Sequence, residues 1–122
     1  KSLDIAILKI RGVENLPYLN ISQSFKGLKM GDKIGLLAFP KGREMGTKVT
    51  YTEGIISKKE GIHYYHTADA THGSSGGAFF DLETKTVYGI LNGGFGEKGA
   101  NINVAVDLIN LYKQTDIEIE FN

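Results

Sequence analysis

Short runs of β-branched or aromatic residues, each bounded by Gly, Pro, Asn or Lys, recur along this chain and limit what it can fold into. DIAILKI (residues 4–10), DKIGLLAF (32–39), TKVTYTEGIISKK (47–59), IHYYHTA (62–68) and INVAV (102–106) read as strands. GGAFFD (76–81) and TVYGILNGG (86–94) flank LETK and read as a hairpin, whereas Gly54 inside the long third run predicts a bend. A helical period occurs once, in VDLINLYKQ (106–114), where Val106, Ile109 and Tyr112 fall three apart. DIEIEF (116–121) alternates acid and apolar residues, as a closing or edge strand does. The rhythm is that of an all-β domain with one short helix near its C-terminal end.

At 122 residues there is room for one barrel or sandwich, and no internal repeat or linker divides the chain. Fourteen Lys and Arg balance fourteen Asp and Glu, which argues against nucleic acid or an acidic membrane surface as a partner. Cysteine is absent, so disulfides, thiolate metal sites and a cysteine nucleophile are excluded together, while the compartment stays open. No apolar run is long enough to predict membrane insertion. The opening KSLDIAILKI reads as the middle of a strand-rich protein, with a native start expected upstream.

Chemistry concentrates in HTADATHGSSGGAFFD (66–81), where Gly73-Ser74-Ser75-Gly76-Gly77 joins a polar run to an apolar one. Glycines that dense belong where backbone must take φ > 0 or approach something closely, and a hydroxyl among them is a candidate nucleophile. Gly73-x-Ser75-x-Gly77 fits both the nucleophile elbow of α/β-hydrolases and the oxyanion loop of trypsin-like proteases. The elbow needs a buried strand before the serine, a helix after it and a triad histidine later in the chain. Here polar DATH precedes, strand-like GGAFFD follows, and His72 is the last histidine. The trypsin-like order places histidine first, then aspartate, then serine, with Asp4 as the middle member.

From these residues the chain resembles the trypsin-like serine proteases, in the form typical of the HtrA and glutamyl-endopeptidase branches. DIAILKI resembles the strand that carries the triad aspartate. LPYLNIS and LKMGDKIGLLAFPKG look like the interdomain passage and the first strand of the C-terminal barrel, and VTYTEGIISKKE like the next strand. HTADATHGSSGGAFFD and VYGILNGG resemble the nucleophile loop and the specificity strand, and INVAVDLI the closing strand and helix. The resemblance implies two six-stranded antiparallel Greek-key barrels with the active site between them. Residues 1–28 would be the end of the first barrel and the connection, and residues 29–122 the second barrel. The segment bearing the catalytic histidine would lie before Lys1 or on another chain.

Acyl transfer then assigns the roles. Ser75 Oγ attacks the peptide carbonyl once a base takes its proton, and Asp4 would orient that base and stabilise its charged form. The N–H groups of Gly73 and Ser75 would form the oxyanion hole, worth roughly 10²–10³ in rate per donor. Asp69, six before Ser75, matches the spacing at which trypsin places an acid to pair Lys or Arg; alternatively it hydrogen-bonds the loop. His72 would line the substrate pocket. Asn92, Gly93 and Gly94 would offer backbone groups to an extended peptide. Alternation sets His63, His66 and Asp69 on mixed faces, so no metal is expected there, and no cofactor is implied. Leu91 stands where the glutamate-specific branch has a histidine, which argues against that specificity. Ser74 and Ala78 also depart from the family, and the former makes a trypsin-style zymogen switch unexpected. The expected function is a serine endopeptidase acting on polypeptide and completed by a missing N-terminal barrel; the alternative is a non-catalytic peptide-binding or scaffold module.

Overall fold

The computed structural model describes residues 5–24, 26–39, 48–69, 75–93 and 103–115. Six strands make a closed antiparallel barrel: β1 (Lys33–Ala38), β2 (Thr50–Glu60), β3 (His63–His66), β4 (Ala78–Asp81), β5 (Val87–Gly93) and β6 (Asn103–Asp107). Their order around the barrel is β1-β2-β3-β6-β5-β4. Three strands joined in sequence are thus followed by a fourth that lies beside the first, which is the Greek-key connection. Closure leaves no unpaired sheet edge, and the all-β barrel expected from the sequence is the fold observed.

The core follows from period-two alternation. Ile34, Leu36 and Ala38 of β1 turn inward to meet Ile56, Tyr64, Phe79, Leu91 and Ala105 from the other strands. Tyr64 stacks on Phe79 with ring centroids 5.5 Å apart. On the other face of β1, Gly35 lies opposite Glu53 and Phe80, and a side chain there would run into the Phe80 ring. The missing side chain lets Phe80 and Tyr51 stack across the strand at 6.1 Å.

Register divides the barrel into two poles. Ala38 pairs with Thr50, Leu37 with Ala78, Ala78 with Ile90, and His66 with Asn103. The ends of β1, β3 and β5 and the starts of β4 and β6 therefore share one pole. The opposite pole gathers Lys33, Asp81, Val87 and the Glu60–His63 and His63–Val106 pairs.

That second pole is closed by a buried polar lock. Lys59 Nζ pairs with Asp107 Oδ2 at 2.7 Å and lies 4.9 Å from the Tyr64 ring centre. Tyr64 Oη in turn accepts the Leu28 N–H at 3.0 Å. Gly27, at φ +66°, fits because a Cβ there would strike Tyr64 Oη and Lys59 Nζ. Burial alone would lower the Lys59 ammonium, but its hydrogen bond to Asp107, helped by Tyr64, carries it above the usual lysine value. Asp107 also caps α1 (Leu108–Tyr112), accepting from the Asn110 backbone N–H and from Asn110 Nδ2.

Three sequence expectations change. The bend in β2 falls as a register shift between Ile56 and Lys58 rather than at Gly54. Gly54 is instead a close-approach site, where a Cβ would strike the backbone of Ala68 and Thr67. The helix is five residues long because Val106 remains in β6 and Asp107 stops the strand. The described part of DIAILKI, residues 5–10, forms no strand: no barrel strand runs beside it to take its backbone groups, and residues 6–10 are exposed. DIEIEF lies outside the described residues.

Candidate active site

The connection from β3 to β4, residues 67–77, leaves and re-enters the barrel at the first pole. Ser75 and Gly76 form a turn just before β4, with Ser75 exposed. Gly76 has φ +89° with open space where a Cβ would be, so conformation rather than crowding selects glycine. Its N–H donates to the Leu91 carbonyl at 2.6 Å, and the Leu91 N–H returns to the Gly77 carbonyl at 3.0 Å. The β4–β5 ladder is thereby carried to the foot of Ser75.

Ser75 opens onto a depression of about 520 Å³. Gly76, then Ile90, Leu91 and Asn92 of β5, line it together with Ile5 and Ala6. Ser75 and Asn92 are thus brought together, and Gly93 follows on the same strand, paired with Val104 of β6. Ile5, the neighbour of Asp4 in sequence, shares the depression with Ser75. Asp4, His72, Gly73 and Gly94 lie outside the described residues.

A glycine-flanked serine on the Greek-key crossover, clamped to the next hairpin, is an arrangement suited to acyl transfer. A family model described as the trypsin-like peptidase domain matches residues 1–90. The chain belongs to the trypsin-like peptidase family. The match runs from the opening segment through the Ser75 loop into β5, leaving the end of β5, β6 and α1 beyond it. No individual curated protein matches the chain.

Within this peptidase domain, Asp69 is exposed and does not line the depression at Ser75; its carbonyl accepts from Thr52 Oγ1 at 3.0 Å. Thr67 holds the same segment to β2, its N–H donating to the Ile55 carbonyl and its Oγ1 accepting the Ile55 N–H. His63 is half-buried at the far pole, opposite Glu60 and Val106.

His66 is the last residue of β3. It faces the core and is wholly buried, with its ring 5.0 Å from Phe79. Burial pushes its imidazole down to about 4, so at neutral pH it is uncharged. Its Nδ1 accepts the Ala68 N–H at 3.2 Å, and Nε2 has no hydrogen-bond partner among the described residues. Asn103 Nδ2 donates to the Ala68 carbonyl at 2.8 Å. No sequence signal marks this brace, because the side chains that habitually bond backbone two residues on are Asn, Asp, Ser and Thr, not His.

Proposed function

We propose that this domain is the nucleophile-bearing barrel of a serine endopeptidase, with Ser75 as nucleophile and a general base supplied by a histidine outside these 122 residues. The observation that carries the reading is the shared depression: Ser75, the β5 segment Ile90–Asn92 and Ile5–Ala6 converge on one open space. In a triad, the imidazole belongs between the serine and the aspartate that follows it in function. Asp4 is adjacent to Ile5, which gives that space a carboxylate-bearing neighbour in sequence.

The described histidines support an external base. His66 is buried with its Nδ1 occupied, and His63 lies at the far pole. His72 stands three positions before Ser75 in sequence, a spacing at which imidazole and hydroxyl do not readily align. Residues 6–19, exposed and in no strand, fit the same reading, in which residues 1–28 end a first barrel and pass to the second, in the manner of the HtrA and glutamyl-endopeptidase branches.

The reaction would proceed by proton transfer from Ser75 Oγ to the imidazole as oxygen attacks the peptide carbonyl. The N–H groups of Gly73 and Ser75 would receive the oxyanion, and the imidazolium, held by Asp4, would protonate the leaving amine. Asn92–Gly94 would bind the substrate backbone as an added strand, His72 would line the pocket, and the exposed Asp69 carboxylate would favour Lys or Arg before the cut.

A fluorophosphonate probe applied to the chain extended on its N-terminal side through the histidine-bearing segment tests this. Labelling of Ser75 that vanishes in Ser75→Ala is expected. Labelling that survives this substitution refutes Ser75 as nucleophile, and no labelling of the extended protein points instead to a peptide-binding module.

A further inference from the structure

A loop can place a nucleophile only as accurately as its two stems are held. The loop that ends at Ser75 leaves the barrel after His66 and returns through Ala78 and Phe79. Both stems meet one side chain. His66 Nδ1 takes the N–H of Ala68 on the outgoing stem, and the same ring lies 5.0 Å from Phe79 on the returning stem.

Ala68 marks the place where the β3–β6 ladder has ended. Its last described backbone pair is His66 with Asn103, and among the described residues no strand holds either polar group of Ala68. Two side chains replace the ladder: His66 on the N–H and Asn103 on the carbonyl. Ala68 itself is wholly buried, packed where Gly54 leaves room for its backbone. A backbone N–H there has no access to water, so the acceptor on His66 is its means of satisfaction.

The imidazole is not what stability alone would select. With Nδ1 accepting, the neutral ring carries its hydrogen on Nε2, which is buried without a partner among the described residues. A buried, unsatisfied donor is destabilising, and an aromatic hydrocarbon of similar size would avoid it. What such a ring would lack is the acceptor for Ala68.

We propose that His66 is a positioning residue for Ser75, tying the outgoing stem at Ala68 to the returning stem at Phe79. Its meaning for catalysis rests on the reading of Ser75 as nucleophile; its mechanical role does not. Asn at this position can reproduce the acceptor, since Asn bonds the N–H two residues ahead in a local turn. Phe fills the space without it.

Amide hydrogen exchange on the full chain separates the two claims. In His66→Phe, the Gly76 and Leu91 amides should exchange roughly tenfold faster, as for loss of one buried hydrogen bond. Leu28 and Asp107 amides at the far pole should be unchanged, and His66→Asn should restore protection at Gly76 and Leu91. Equal loss at both poles, no loss at Gly76, or failure of Asn to restore it would overturn the proposal. If His66→Phe does not fold, Asn103→Ala removes the other hold on Ala68 and must loosen the same pair of amides selectively. Fluorophosphonate labelling of the N-terminally extended protein should follow the same order of variants. Selective loosening with no labelling in any variant would leave His66 as the brace and defeat only the peptidase reading.

Discussion

Gly76 donates its backbone N–H to the carbonyl of Leu91 at 2.6 Å, so the residue after Ser75 is fixed to β5 rather than suspended in a free loop. The bond requires φ +89° at Gly76, a conformation that side chains with a Cβ resist. Gly76→Ala meets no steric obstacle, so its penalty is conformational, about 1–2 kcal/mol. Urea denaturation should show that loss, and Ser75 labelling should slow by more than the change in folded fraction explains.

The Lys59–Asp107 lock joins β2 to β6 at the pole remote from Ser75. Asp107→Ala takes the carboxylate from the half-buried Lys59 ammonium and removes the α1 cap, so a loss of about 2–4 kcal/mol is expected, a charged hydrogen bond plus a cap. Lys59→Met should be milder, because Asp107 keeps both hydrogen bonds from Asn110 and the Lys59 side chain is 22% exposed. Denaturant titration of the two variants checks the order; equal losses would show that Asp107 acts only through the ion pair.

Acid should destabilise the barrel through His66. Its folded value, about 4, lies below the ordinary 6.5, so between those limits the unfolded chain binds more protons than the folded one. Stability falls as pH drops through that window, by about 3 kcal/mol in all from this group, and levels off below it. His66→Phe should remove this component of the pH dependence, as measured by urea midpoints at a series of pH values.

Asp69 offers a solvent-exposed carboxylate, so its influence on substrate choice should be modest. Peptides with Lys or Arg before the cut should be preferred over otherwise identical Leu peptides by about two- to fivefold in kcat/KM, the scale of an exposed charge pair. Asp69→Ala should abolish that preference. An unchanged preference would leave Asp69 with only its carbonyl contact to Thr52.

The sequence by itself determined the class of fold and the family. Short β-branched and aromatic runs bounded by turn residues marked β1, β2, β3, the β4–β5 hairpin and β6, because such side chains fit a pleated surface with a buried face. The resemblance of the Ser75 loop and its flanking strands to the trypsin-like proteases gave the family, which the match over residues 1–90 establishes. Local pattern misled at DIAILKI, whose apolar residues are strand-like in composition but have no strand of this barrel beside them.

Only the tertiary structure decided which polar residues hold distant parts of the barrel together. Lys59, Asp107, His66 and Asn103 look like ordinary strand polar groups in the sequence. Each acquires its role from a partner: Asp107 is 48 positions from Lys59, Asn103 is 35 from Ala68, and His66 lies across the barrel from Phe79. Burial and hydrogen-bond partnership are properties of closure, and closure brings together residues that the chain keeps far apart. The same closure sets the ionic lock at one pole and Ser75 at the other.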